Sequence, residues 1–201
     1  MTRNEILSVS KPILFNTEMV RAILDGRKTV TRRIAKFLGN RNPNWTGYVK
    51  DGNQLYNGTN EPCLKNPAYQ KGEYMYVRET WTHLGTDEQN NPYLAYKARA
   101  PHLQDNMYIK WHPSIHMPKE AARILLRVTD VRVERLQDIT EEQAVKEGAM
   151  YLPINDYEYA PAVFNFAYIW NSTIMSADLV KYGWDANPWV WVYEFERVMP
   201  D

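Results

Sequence analysis

Alternation of apolar and polar positions is clearest in two stretches. In residues 71–81, Tyr74, Tyr76 and Arg78 alternate with Met75, Val77 and Glu79, which predicts a strand. In residues 187–198, Trp189, Trp191, Tyr193 and Phe195 fall on one face, and Val190, Val192, Glu194 and Glu196 on the other. An all-aromatic strand face of this kind reads as core before it reads as a stacking platform. The longest run of β character is ARILLRVTDVRV, residues 122–133, with Thr129-Asp130 as a candidate bend. A shorter strand is predicted over residues 11–15, where Pro12 suits an edge position.

Helical spacing appears in three places. Asn16 or Thr17 can cap a helix whose inner face is Met19, Val20, Ile23 and Leu24, and Gly26 is placed to stop it. Thr140 and Gln143 form a capping-box pair, Ile139 and Ala144 a hydrophobic staple, and Gly148 ends that element. Val163, Phe166, Ala167 and Trp170 line one side of a further helix over residues 161–170. Two long inserts, about residues 37–70 and 82–120, show no sustained period. A hairpin is expected at Asp51-Gly52 in the first and a turn at Asn90-Asn91-Pro92 in the second. The sum is an α+β chain, mainly β: one domain over residues 1–201, built as a small, partly closed β-barrel with short helices.

Composition narrows the function classes. With 7 Trp and 14 Tyr in 201 residues, a sizeable core can be buried. The single cysteine, Cys63, excludes an internal disulfide framework and suits a reducing cytoplasm. No apolar run approaches the ~20 residues of a membrane span, and residues 1–10 lack a secretory pattern. A formal net charge of zero argues against a protein that coats nucleic acid indiscriminately, but is compatible with one that reads a single nucleotide.

Within that balanced chain the positive charge is concentrated. Arg21, Arg27, Lys28, Arg32, Arg33 and Lys36 lie within sixteen residues that hold one acid, Asp25. The centre is GRKTVTRRI, residues 26–34, where Thr29 and Thr31 interleave with the bases. Such a cluster suits phosphate or a polar planar ligand. Carried on a strand–helix–turn–strand unit, it is a positioned loop. Other chemistries lack their motifs. His112 and His116 are four apart but separated by Pro113 with no Glu, so no metal is expected. Neither a phosphate loop with its upstream glycine nor a nucleophile elbow occurs, and no cofactor is implied.

The segments ILFNTEMVRAILDGRKTVTRRI, GEYMYVRETW, RVTDVRVERLQDITEEQAVKEG and WDANPWVWVYEFERV occur in this order. Together they resemble the ASCH domain family, and most of all its larger phage and prophage members. The resemblance spans nearly all of the chain outside the two inserts. It implies a PUA-like barrel of the kind that binds RNA, with a groove lined by the GRKT turn. Compact members of that family remove the acetyl group from acetylated cytidine, using a lysine and a threonine of the turn and a glutamate at the end of the following helix. By resemblance these positions are Lys28, Thr31 and Glu147.

Two functions are therefore expected of the same residues. The first is binding of RNA, a nucleoside or a nucleotide through Arg27, Lys28, Arg32, Arg33 and Arg78, with aromatic side chains of the inserts stacking on bases. The second is hydrolysis of an N(4)-acetylcytidine-type amide by Lys28, Thr31 and Glu147. Ribonuclease activity and sequestration of a host nucleotide by a phage protein are weaker alternatives. Thr31 can share a site with Lys28 only if Lys28 still belongs to the turn, because strict alternation would put them on opposite faces. Glu147 near a helix C-terminus is electrostatically disfavoured.

Overall fold

The computed structural model describes residues 1–39, 47–50, 52–103, 108–155 and 158–200. In chain order it begins with α1 (Arg3–Val9), β1 (Lys11–Leu14), α2 (Thr17–Leu24) and β2 (Val30–Ile34). Next along the chain come the pair β3 (Tyr48–Lys50) and β4 (Gln54–Tyr56), then β5 (Tyr74–Arg78), then the pair β6 (Trp81–Thr86) and β7 (Pro92–Tyr96). The second half holds β8 (Leu125–Arg135), α3 (Glu141–Lys146), β9 (Leu152–Pro153) and β10 (Tyr159–Ala160). It ends with α4 (Ala162–Ser172), α5 (Leu179–Tyr182) and β11 (Trp189–Val198).

The fold is α+β with strands predominating. Five strands form one mixed sheet in the order β1-β5-β8-β11-β2, and three two-stranded pairs stand beside it. Among the described residues this order is open, so the expected small barrel is not closed by these pairings. β1, at one end of the order, has four residues and carries Pro12, which has no N–H to offer a further strand. No described helix is long and apolar enough to cross a membrane.

The chain divides into two compact units: Met1–Gly26, Gly72–Arg127 and Glu196–Asp201 in the first, and Arg27–Lys71 and Val128–Phe195 in the second. In the first unit, β1 runs parallel to β5, and β5 pairs antiparallel with the start of β8. Asn16 caps α2 by accepting from the Met19 N–H, and Gly26 follows at φ +74°. Helix α1 was not expected from the sequence. Thr2 and Glu5 close a capping box at its start, and Ile6 and Leu7 enter a core with Tyr76, Met117, Ala122 and Leu125. The second insert is also more regular than its sequence suggests. β6 and β7 form a hairpin, offset by a bulge between His83 and Gly85, which hides the alternation. The Asp87 carboxylate accepts from the Gln89 and Asn91 N–H groups and closes its loop.

In the second unit, β2 pairs antiparallel with β11, Thr31 opposite Tyr193 and Arg33 opposite Trp191. On the other face, Val30, Val190 and Val192 pack with Leu136, Ala144, Phe166 and Trp170. Trp191, Tyr193 and Phe195 are buried too, so both faces of this part of β11 are covered. The expected hairpin is present as β3–β4, with Gly52 at φ +68°; Asp51 lies outside the described residues. So do residues 40–46 of the first expected insert and, in the first unit, 104–107 of the second. Helix α4 starts at Pro161 without a side-chain cap of its own, and the Glu141 carboxylate accepts from the Ala162 and Val163 N–H groups instead.

Leu136, fully buried in this core, and Phe164, 68% exposed on α4, give a paired test of the packing. Leu136→Ala is expected to cost about 2–5 kcal/mol of unfolding free energy in urea. Phe164→Ala should stay within about 0.5 kcal/mol of the parent chain.

Candidate functional site

The GRKT turn is built against the end of α3. A helix leaves its last carbonyls without intrahelical donors. Here the Thr29 N–H donates to the Lys146 carbonyl at 2.9 Å, and the Lys28 ammonium donates to the Glu147 carbonyl at 2.7 Å. On its other side the turn holds β11, whose Phe195 N–H donates to the Thr29 carbonyl at 2.8 Å. β2 begins only at Val30, so Lys28 does belong to the turn, as a shared site with Thr31 requires.

Glu147, the C-cap residue of α3, turns its side chain inward. Its Oε2 accepts from Lys28 Nζ at 2.6 Å and its Oε1 from Arg32 Nη1 at 3.2 Å. Lys28, Arg32 and Glu147 are 1%, 2% and 6% exposed, so this is a buried ionic nest. The two cations offset the repulsion between the carboxylate and the negative end of the helix dipole. Lys28 gives its third hydrogen to the Val30 carbonyl at 2.7 Å. Three acceptors within 2.7 Å match the three hydrogens of an ammonium ion; a neutral amine would turn a lone pair toward one of them. Arg32 also donates to the Glu134 carboxylate and, at 2.7 Å, to Gln143 Oε1, while its guanidinium lies 5.8 Å from the Phe166 ring centre.

Thr31 and Arg33 occupy the opposite face of β2. Arg33 Nη1 donates to Thr31 Oγ1 at 2.6 Å and to the Arg32 carbonyl at 2.8 Å. Across the strand pair, the Tyr193 ring meets Tyr69 edge to face at 5.2 Å, and the Tyr193 hydroxyl accepts from the Ala68 N–H at 3.0 Å. Segment 68–69 therefore covers this face, with Tyr69 turned inward and only 8% exposed.

Burial governs the protonation of the site. It pulls the Lys28 ammonium below its ordinary pKa; the charge and hydrogen bond of Glu147 oppose the shift, and Arg33 and Arg32 add to it. Burial likewise lowers Arg33, against the attraction of Glu147 and of Tyr69 and Tyr193. The same cause pushes the Tyr193 phenol up from 10.0 to about 12.

The residues singled out in the sequence separate into three groups. Lys28 and Glu147 touch directly, and Thr31 reaches their neighbourhood through Arg33, whose charge acts on both. Arg32 is locked inside the nest, and Arg27 stands exposed at the turn. Arg78 belongs to the first unit, where its guanidinium donates to the Ile115 carbonyl. Sequence reasoning missed Glu134, Tyr69 and Tyr193, and took Gln143 for a cap alone. Gln143 does both: it closes the Thr140 capping box and accepts from Arg32. Among the described residues, no group of three or more His, Cys, Asp or Glu side chains could hold a metal ion.

Comparison with protein-family models, with curated proteins and with solved structures finds no match to this chain.

Removing the Glu147 carboxylate leaves two buried cations without it. Glu147→Ala is expected to cost about 3–5 kcal/mol in chemical denaturation, and Lys28→Met combined with Glu147→Leu less than the two single changes together. The raised Tyr193 pKa gives a pH test. The folded state holds the phenol proton more tightly than the unfolded chain, so this stabilisation is complete below pH 10.0 and is lost as pH rises toward about 12. Over that window the parent chain should lose about 2–3 kcal/mol more than Tyr193→Phe, measured by urea unfolding at successive pH values.

Proposed function

We propose that this chain binds RNA or a modified nucleotide and that β2 provides the contact. The observation carrying this reading is one strand face shared by a cation, a hydroxyl and aromatic rings. Arg33 and Thr31 stand opposite Trp191 and Tyr193, and residues directly opposed in an antiparallel pair project to the same side. A guanidinium offers charge-assisted bonds to phosphate or to a base oxygen, and the buried Trp191 and Tyr193 rings form the wall beside which Arg33 is held. Arg33 keeps partial exposure and Arg27 is exposed, whereas Lys28 and Arg32 are enclosed. The first pair meets the ligand; the second fixes the turn that presents it. The motif resemblance to ASCH domains, and through it to PUA-like barrels, supports the same ligand class. A single, buried cysteine suits action in the cytoplasm.

A second reading, hydrolysis of N(4)-acetylcytidine-type nucleosides, has its own support. Lys28 has a lowered pKa and touches Glu147, and Thr31, three residues further along, has an oxygen that accepts from Arg33. A cationic donor on that oxygen favours its deprotonated form. Against it, the Lys28 ammonium already gives all three hydrogens to internal acceptors and has no lone pair with which to take a proton.

Calorimetric titration with short single-stranded RNA and with N(4)-acetylcytidine separates the two. In the binding reading, Arg33→Ala weakens affinity at least about ten-fold, and Thr31→Ala changes it by less than about two-fold. Acetylcytidine then survives long incubation with concentrated protein. Release of cytidine and acetate that Thr31→Ala abolishes would establish the second reading, and failure of every RNA and nucleotide to bind would remove the first.

A further inference from the structure

A cavity of about 450 Å³ opens within the second unit, on the side of β11 that carries Trp191. Its floor is the sheet itself, Trp191 on β11 and Val131 on β8; its apolar walls are Tyr56, Pro62 and Pro67. The polar lining consists of carboxamides: Asn53 and Gln54 from the β3–β4 hairpin, Asn66 and Gln70 from the following loop. Among the described residues no charged side chain lines it.

These carboxamides are not equivalent. Gln54 is committed to the framework: its Nε2 donates to the Leu64 carbonyl, and its Oε1 accepts from the Leu55 and Leu64 N–H groups. This clamp ties the hairpin to the loop and makes a preformed wall. The exposed side chains of Asn53 and Asn66 enter no hydrogen bond among the described residues. A carboxamide offers a donor and an acceptor side by side. Aromatic and proline surface with paired donors and acceptors, and no charged side chain among the described lining residues, fits a flat uncharged ring system whose edge carries both kinds of group. The volume lies in the range of small-molecule sites.

We propose that this cavity is a base pocket. It takes the uncharged heterocycle of a nucleoside against Trp191 and Tyr56 and reads its edge with Asn53 and Asn66. This rests on the ligand class proposed above and adds a second contact to it. Trp191 is the cross-strand neighbour of Arg33, and Pro67 and Gln70 flank the segment that covers Tyr193. A base in the cavity therefore lies beside the cation that meets the rest of the nucleotide.

Both asparagines are exposed, so their replacement leaves the core untouched. Adenosine, guanosine, cytidine and uridine are titrated by calorimetry against the full chain, the Asn53→Ala/Asn66→Ala variant and Arg33→Ala, with ribose 5-phosphate as a probe that lacks a base. The expected result is saturable binding of at least one nucleoside, weakened ten-fold or more by the double asparagine change, while ribose 5-phosphate responds only to Arg33→Ala. Nucleoside binding unchanged in the double variant overturns the pocket. So does RNA binding that depends on Arg33 when no nucleoside binds; in that case the β2 reading survives. Nucleoside binding lost in the double variant, with RNA indifferent to Arg33→Ala, supports the pocket and removes Arg33 from the contact.

Discussion

A carboxylate placed where a helix ends meets the negative end of the helix dipole, and burying it adds the cost of lost hydration. Glu147 suffers both, and Lys28 and Arg32 are what make its position tolerable. Because each charge in the nest needs the others, the elements that carry them are held in register: the turn before β2, β2 itself and the end of α3. Gln143 and Glu134 extend the arrangement to the start of α3 and to β8. This arrangement fixes the geometry of β2, and hence the direction in which Thr31 and Arg33 point.

The consequence for function is a division of labour along one short strand. Alternation sends Arg32 into the nest and Arg33 to the opposite face, so two neighbouring arginines have unrelated roles. Sequence composition counts them as one basic cluster. The structure separates an internal group, which is matched by carboxylates and a carboxamide, from Arg27 and Arg33, which keep access to solvent.

Much of the fold could be read from local signals. The Asn16 cap, the positive-φ Gly26, the Thr140–Gln143 box and the alternation of β5 and β11 depend on neighbours within a few residues, and all are present. The Thr2–Glu5 box is an equally local signal. What was not legible depends on distant partners or on a broken period. The Gly85 bulge shifts the face of β6 midway, and whether the sheet closes is decided by pairings no single strand encodes. In the site, the Lys28–Glu147 contact came from motif resemblance alone. Glu134 and Tyr69 had no signal: one looks like an ordinary strand carboxylate, the other lies in a loop without periodicity.

The nest also joins distant parts of the chain. Lys28 and Glu147 are 119 residues apart, and β2 finds its partner only in β11, near the C-terminus. On a ribosome Lys28 therefore emerges well before Glu147, by roughly ten seconds at usual elongation rates. Non-local pairing of this kind is slow to form.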